Sequence, residues 1–200
     1  MPINKLRATP RAMGAIAAIS AAAVAGYVAI FPGQPSVHED TALAIKTLVV
    51  PWEGDALKAY LDKIAKPPVW TICNGDTNNV KPGMVETPEG CNSRLAVKME
   101  RDYRPALVKC IPSWDARPLS WRSMMISLSW NIGTGGACNS TAARLGKEGQ
   151  YLASCNAATA FNRAGGRVII GLVRRREMGD ASRIGEGELC VSGLAGAAKP

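Results

Sequence analysis

Metal-binding residues are scarce in this sequence. It contains one histidine, His38, and its six cysteines form no Cys-x-x-Cys pair. Zinc proteases need clustered histidines, and zinc ribbons and thioredoxin-type redox proteins need closely paired cysteines, so these classes are excluded. We therefore expect neither a metal site nor a cofactor.

Aromatic residues are also few, at 6% of 200 residues. The sequence has no aromatic RNA-binding signature, no zinc finger and no basic zipper, so we expect no nucleic-acid partner. The 24 basic and 16 acidic residues still leave a net charge of +8, which favours polyanionic neighbours. The anionic lipids and the wall of a bacterial envelope are the remaining candidates.

The first part of the chain has little charge. No charged residue occurs from Ala12 to Val37, and Met13–Phe31 is a 19-residue apolar run behind a basic flank. Such a run is long enough to span a bilayer as a helix. Eight of its residues are alanine and only six are strongly apolar, so those six contribute only about −2 to −4 kcal/mol to insertion.

Three interpretations of this run stay open. It is a signal peptide cleaved after Ala23-Val24-Ala25, a permanent membrane anchor, or an export segment weak enough to leave the membrane after the secretion machinery has inserted it. Each one places the rest of the chain outside the cytoplasm. The third predicts a protein that is first tethered to the inner membrane and then periplasmic.

Cysteine usage agrees with export. All six cysteines lie after the apolar run, where oxidation is permitted, and they are Cys73, Cys91, Cys110, Cys138, Cys155 and Cys190. Three disulfides are expected, with buried free thiols as the alternative. Spacing alone selects none of the possible pairings.

Turn signals predict the domain organisation. The length fits one domain of ordinary size plus an appendage. Pro32–Pro35 interrupts the apolar run. We expect an N-terminal segment over 1–31, a linker over 32–39, one folded domain over 40–190 and a flexible tail over 191–200.

Within the domain, one short region of strand patterns lies between two regions of helical patterns. A capped helix is predicted to end at Gly54, followed by strands at Leu57–Leu61 and Val69–Cys73, and helical spacing dominates from Cys91 onward. The sequence therefore predicts an α+β fold, mainly α, with a small β-hairpin lobe, a helical lobe and a preceding N-terminal apolar helix.

Two carboxylates lie at the ends of neighbouring predicted elements and are candidate catalytic acids. Glu53 lies at a helix end and Asp62 at the far end of the first strand. Hydrolysis of a glycosidic bond needs one carboxyl to protonate the leaving oxygen and one carboxylate to activate water or stabilise positive charge. By themselves, two acids at this spacing are also compatible with a solvated surface.

Several short motifs together resemble a known family. Glu53-Gly54, Tyr60-Leu61-Asp62 and Trp70-Thr71-Ile72-Cys73-Asn74-Gly75-Asp76-Thr77 resemble the Glu-Asp-Thr signature of the phage-type lysozymes, glycoside hydrolase family 24. Ser129-Trp130-Asn131-Ile132-Gly133 and Gly171-Leu172-Val173-Arg174-Arg175-Arg176-Glu177 are similar to motifs of that family's second lobe. With the weak apolar run, the chain resembles the signal-anchor-release endolysins.

The resemblance implies a muramidase that cuts the β-1,4 bond between N-acetylmuramic acid and N-acetylglucosamine in peptidoglycan. It makes Glu53 the general acid, Asp62 the second carboxylate and Thr71 the residue that holds water. Asn131, Arg174 and Arg175 become candidates for glycan binding or for bracing the cleft. The glycan strands of peptidoglycan and the inner membrane, reached through residues 13–31, are the implied partners of a monomer.

The resemblance also implies pairing of Cys73 with Cys91, Cys110 with Cys138, and Cys155 with Cys190.

The sequence departs from the family in extra residues around Lys66, in Asp76 where the family often has histidine, and in Pro51 just before Glu53. Two alternatives stay open, an exported module that binds peptidoglycan without cutting it and a host-encoded, membrane-anchored glycosidase. Retention of both carboxylates favours an enzyme.

Overall fold

A computed structural model describes residues 2–54, 56–63 and 67–195 of the chain. These residues form a small β-hairpin lobe and a larger helical lobe, so the predicted α+β, mainly helical class is confirmed. The extra residues around Lys66 fall partly on residues 64–66, which lie outside the described residues.

The elements follow one another in a simple order. The N-terminal part contains α1 (Pro10–Ala22), β1 (Tyr27–Val28), β2 (Val37–His38), α2 (Glu39–Ala44) and α3 (Val50–Glu53). The hairpin lobe is formed by β3 (Ala56–Asp62) and β4 (Val69–Cys73). The helical lobe contains α4 (Pro88–Lys98), α5 (Arg104–Cys110), α6 (Leu119–Ile132), α7 (Thr134–Cys138), α8 (Thr141–Lys147), α9 (Tyr151–Ala158), β5 (Arg163–Ala164), β6 (Arg167–Val168), α10 (Ile170–Arg176) and α11 (Glu186–Ala195).

The predicted apolar helix through Phe31 is wrong in this structure. Helix α1 ends at Ala22, and the chain turns at Gly26, where φ is 82°, into the antiparallel β1–β2 hairpin. This path buries Val28 and Ile30 in the main hydrophobic core. Within residues 2–54, 56–63 and 67–195, no helix has both the length and the apolar composition that a membrane crossing requires.

The predicted linker and tail also contain regular structure. Residues 37–38 of the linker form β2, and α11 extends from the domain into the predicted tail as far as Ala195. Residues 196–200 lie outside the described residues.

Helix α1 is docked on the domain through apolar and charged contacts. Ala12 is fully buried in a cluster with Leu43, Leu48 and Leu189. These residues come from α1, from the α2 region and from α11. The N-terminal segment, defined here as residues 2–31, is thus part of the folded body.

Two buried carboxylates of the C-terminal part hold the N-terminal segment. Glu188 accepts hydrogen bonds from Arg11 Nε and Arg11 Nη2, each at 2.7 Å. Glu177 accepts from the backbone N–H groups of Ile3 and Asn4 at 2.6 and 2.8 Å. Because a buried carboxylate without partners is costly, these contacts stabilise the docked position of the segment.

Two helical stretches contain a π-helical turn shortly before a proline. Ile45–Val49 joins α2 to α3 ahead of Pro51, and Met99–Tyr103 joins α4 to α5 ahead of Pro105. Proline has no N–H and its ring crowds the preceding turn, so a widened turn lets the helix continue. The proline that sets this chain apart from the family is therefore accommodated by a π turn, and α3 still reaches Glu53.

Helix α6 forms the centre of the helical lobe. Ten of its 14 residues are buried, including Trp121, Met124 and Leu128. Helices α2, α7, α9 and α11 pack around it. This largely buried helix gives α11, which packs directly on it, a rigid base.

Three disulfides reinforce this arrangement, and they are Cys73–Cys91, Cys110–Cys138 and Cys155–Cys190. The pairing is the one that the family resemblance implied. The first connects the end of β4 to α4, and the other two connect helices. Each closed loop typically contributes about 2 to 4 kcal/mol to stability.

A buried ion cluster joins α2 to the helical lobe. Asp40 Oδ2 accepts from Arg122 Nη1 and from Trp114 Nε1, each at 2.7 Å, and Asp40 Oδ1 accepts from Arg104 Nε at 3.0 Å. Burial alone would raise the pKa of Asp40. The Arg122 and Arg104 guanidiniums and the Trp114 N–H outweigh burial and hold this pKa below its usual value.

Asp40→Asn is expected to destabilise the protein by about 3 kcal/mol, because it removes the buried carboxylate from two buried guanidiniums and leaves them only the more exposed Glu39 and Asp115. The folded-state pKa of Asp40 is depressed, so its contribution is complete above the unfolded-state pKa of about 3.9 and is lost as the pH falls through the folded-state pKa. Thermal unfolding of parent and variant should therefore differ fully near neutral pH and converge in acid. A difference that stays constant into strong acid would contradict the assignment.

Candidate active site

Glu53 lies at the junction of the two lobes. It is the last residue of α3, and Gly54 follows with φ of 67°, a conformation that favours glycine, so the chain turns sharply into β3. Its side chain is 21% exposed, and Oε1 accepts from Nη1 of the buried Arg175 at 2.6 Å. Two motifs that are far apart in the sequence thus meet at one carboxylate.

Asp62 and Thr71 lie on adjacent strands of the hairpin lobe. In the antiparallel β3–β4 pair, Tyr60 is opposite Thr71 and Asp62 is opposite Val69. Opposite residues, and residues two apart on one strand, share a face of the sheet. Asp62, Tyr60 and Thr71 therefore share one face. Thr71 is buried, and its hydroxyl donates to the Val69 carbonyl at 3.3 Å.

Both candidate carboxylates affect the pKa of Tyr60. Burial raises the pKa of its phenol, and the Asp62 and Glu53 carboxylates raise this pKa further because they repel a phenolate. The side chain is still 45% exposed. Both acids therefore act electrostatically on one partly exposed side chain of the hairpin lobe. Sequence reasoning missed Tyr60, although its position two residues before Asp62 on a predicted strand was a usable signal.

Two side-chain hydrogen bonds hold the junction between α3 and the rest of the domain. Asn74 Nδ2 donates to the Gly54 carbonyl at 3.1 Å, which links the end of β4 to the end of α3. Trp52 Nε1 donates to the Ile184 carbonyl at 2.9 Å, and the Arg183 guanidinium lies 3.9 Å from the centre of the Trp52 ring. The backbone that carries Glu53 is therefore held from both lobes.

The three residues predicted to bind glycan or brace the cleft have different surroundings. Arg174 and Asn131 are exposed, whereas Arg175 is buried against Glu53. Asn131 Oδ1 accepts from Nη2 of the buried Arg176. Arg175 is thus placed to brace the site, and the other two side chains are open to solvent.

Asp76 connects the hairpin lobe to α4. Its buried carboxylate accepts from Lys98 Nζ at 2.6 Å and from Arg94 Nη1 at 3.1 Å. Where the family often has a histidine, this chain has an acid, and α4 supplies two cations to it. Sequence reasoning noted Asp76 but not these partners, because nothing in the local pattern links them.

The chemistry available in this cleft is proton transfer between carboxylates and a bound substrate. Among residues 2–54, 56–63 and 67–195, no three histidine, cysteine, aspartate or glutamate side chains come together as a metal site would need.

The family model described as Phage lysozyme matches residues 50–179, a range that includes Glu53, Asp62, Thr71 and Arg175. The chain belongs to the phage lysozyme family. The resemblance seen in the sequence motifs is thereby confirmed. This lysozyme is a glycoside hydrolase, an endolysin-type muramidase that hydrolyses peptidoglycan.

Individual relatives agree with this family. The lysozyme is 28% identical over 145 residues to a protein named SAR-endolysin from Enterobacteria phage P21, covering 70% of this chain and 78% of the relative. An endolysin from Escherichia coli O157:H7 phage FAHEc1 has the same fold, with a TM-score of 0.60, 24% identity and coverage of 85% of this chain and 99% of the other. The muramidase domain of SpmX from Asticaccaulis excentricus also shares the fold, with a TM-score of 0.58, 17% identity and coverage of 94% and 99%.

Proposed function

We propose that Glu53 is the general acid and Asp62 the second carboxylate in cleavage of the β-1,4 bond between N-acetylmuramic acid and N-acetylglucosamine. The observation that carries this proposal is geometric: Glu53 is hydrogen-bonded to the buried Arg175 at the turn that leads into β3, and Asp62 shares one face of the hairpin with Tyr60 and Thr71. Glu53 lies at the end of α3 and Asp62 at the end of β3, and in this proposal a glycan strand binds between them.

In this mechanism Glu53 gives its proton to the glycosidic oxygen as the bond breaks, while Asp62 activates water or stabilises the positive charge that develops on the sugar. Glu53 becomes negatively charged during this step. Arg175 Nη1, 2.6 Å from Glu53 Oε1, stabilises that developing charge more than it stabilises the neutral acid. Thr71 shares the Asp62 face of the hairpin and holds the attacking water.

The bond specificity is tested by product analysis. The purified protein is incubated with peptidoglycan, and the soluble fragments are reduced and identified by mass spectrometry. Fragments that end in reduced N-acetylmuramic acid support the proposal. Fragments that end in reduced N-acetylglucosamine, or released peptides without glycan cleavage, would contradict it.

Asp62→Asn is expected to reduce kcat by about 100-fold or more, because the amide cannot carry the charge that the reaction needs. Thr71→Ala is expected to cost less, about tenfold, because it removes one hydrogen bond to water. Turnover of purified cell walls measures both effects, with melting temperatures as the control for folding. A smaller effect for Asp62→Asn than for Thr71→Ala would refute the roles assigned here.

We further propose that the N-terminal segment acts as a releasable membrane tether. It is apolar and uncharged from Ala12 to Val37, and the relative from phage P21 carries the name SAR-endolysin. In this proposal the secretion machinery inserts residues 13–31 into the inner membrane, and the protein later becomes a periplasmic monomer. Docking of α1 on α2 and α11 supports the released state as the folded one.

The docked segment also supports a release step without thiol chemistry. No cysteine occurs from Met1 to Gly54, so exchange of a disulfide from this segment is chemically impossible. Release must then come from a change in membrane affinity, followed by formation of the Arg11–Glu188 pair and of the apolar contacts of Ala12.

A further inference from the structure

Glu186 is a buried acid that the catalytic mechanism above does not use. It is the first residue of α11 and is fully buried. Its Oε1 accepts from Ser127 Oγ at 2.7 Å, from Arg176 Nη1, and from Arg175 Nε at 3.4 Å. One oxygen of this α11 residue thus accepts hydrogen bonds from two guanidiniums of α10 and from a hydroxyl of α6.

Arg175 is shared between Glu186 and the proposed general acid. Its Nη1 donates to Glu53 Oε1 at 2.6 Å and its Nε to Glu186 Oε1 at 3.4 Å. Within the described part of the chain, Arg175 Nη2 and Glu186 Oε2 make no hydrogen bond. Arg175 therefore has a further N–H donor, and Glu186 a further acceptor oxygen, for a second hydrogen bond between them if the Arg175–Glu53 bond weakens.

Several charged groups lie together next to the proposed general acid. The charged and titratable groups that act on this site are Arg175 and Arg176 from α10, Glu186 from α11, and Tyr60 and Asp62 from β3. Arg175 contacts Glu53 directly and Arg176 is the next residue of α10. A nearby cation favours the ionised form of a carboxyl, yet a general acid must start protonated. The negative charge of Glu186 compensates one of these cations.

We propose that Glu186 is a positioning residue that holds Arg175 against Glu53 and balances the Arg175–Arg176 charge so that Glu53 can carry its proton. The inference rests on the proposed role of Glu53. Burial lowers the pKa of the Arg176 guanidinium, and Glu186 opposes that decrease, which agrees with direct charge coupling inside the group.

Glu186→Gln tests the charge balance. The variant leaves two cations against Glu53, so the alkaline limb of the activity profile is expected to move to lower pH by about one unit. Arg176→Gln leaves an excess of negative charge and is expected to move the same limb to higher pH. The double variant Glu186→Gln/Arg176→Gln restores the balance and should return the limb close to its parental position. If Glu186→Gln fails to fold, the opposite shift in Arg176→Gln still decides the question.

Two controls separate positioning from general stabilisation. Glu188→Gln removes the other buried carboxylate of α11, which pairs with Arg11 and not with Arg175, so it should lower the melting temperature without moving the limb. Glu186→Asp keeps the charge and shortens the side chain, so kcat should fall while the limb stays in place. Unshifted limbs in both Glu186→Gln and Arg176→Gln would overturn the inference. Glu53→Gln in the same assay separates this failure from failure of the proposed function. An inactive Glu53→Gln supports Glu53 as the general acid, whereas an active Glu53→Gln would refute that role.

Discussion

Glu53→Gln is expected to reduce hydrolysis of purified cell walls by at least about 100- to 10,000-fold, the range that general acid catalysis usually supplies. The amide is nearly isosteric and can still accept the hydrogen bond from Arg175 Nη1, but it has no proton to give to the glycosidic oxygen. The loss should therefore appear in kcat, with substrate binding largely kept. Single-turnover and steady-state assays on the same wall preparation separate the two parameters.

The control for this variant is Glu148→Gln. Glu148 is an exposed glutamate whose described ion pair is with Arg144 one helical turn away, and such a surface pair contributes little to stability. This control should match the parent in activity and in melting temperature. Near-parental turnover by Glu53→Gln, with a normal circular dichroism spectrum, would show that the acid has been wrongly assigned.

Leucines on the exposed face of α1 are expected to keep the protein in the membrane and to delay lysis. Ala17, Ala18, Ala21 and Ala22 are all exposed when α1 is docked, so leucine at these positions leaves the docked contacts intact. Four leucines add about 1 to 2.5 kcal/mol to insertion at roughly 0.3 to 0.6 kcal/mol each. That change favours the membrane form by about five- to sixty-fold. Fractionation of cells and the time of lysis after induction measure the outcome.

The matched control places glutamine at the same four positions. These side chains are equally exposed in the docked form, but they lower the affinity of α1 for the membrane. The glutamine variant should therefore not remain bound to the membrane. Purified leucine and glutamine variants should have the same activity on isolated peptidoglycan, because α1 carries none of the proposed catalytic groups. Equal partitioning and equal lysis times for parent and leucine variant would refute the release proposal, and so would a parent N-terminus cleaved after Ala25. The muramidase assignment would not be affected.

Local sequence was a good guide wherever function depends on a few contiguous residues. The α3–turn–β3 pattern around Glu53 and the strand that carries Thr71 were predictable because capping, a positive-φ glycine and alternating strand residues are short-range signals. Helical spacing from Cys91 onward likewise predicted the mainly helical second lobe. Local signals failed at the N-terminal segment, where an apolar run compatible with a membrane helix instead forms a shorter helix and a hairpin.

Local sequence patterns could not predict the ion pairs that surround the site. Arg175 and Glu53 are 122 positions apart in the chain, and Lys98 is 22 positions from Asp76. Which cation meets which acid depends on how α4, α10 and α11 pack, and no local pattern encodes that packing.

The sequence by itself determined the chemical class of this protein: a basic, cysteine-bearing chain with a Glu–Asp–Thr signature and a weak apolar N-terminus. Those properties follow from composition and from residues close together in the chain. Only the tertiary structure decided that the N-terminal segment packs on α11 and that Glu186 shares Arg175 with Glu53. Buried charges need partners wherever the fold can supply them, and in this protein those partners come from opposite ends of the chain.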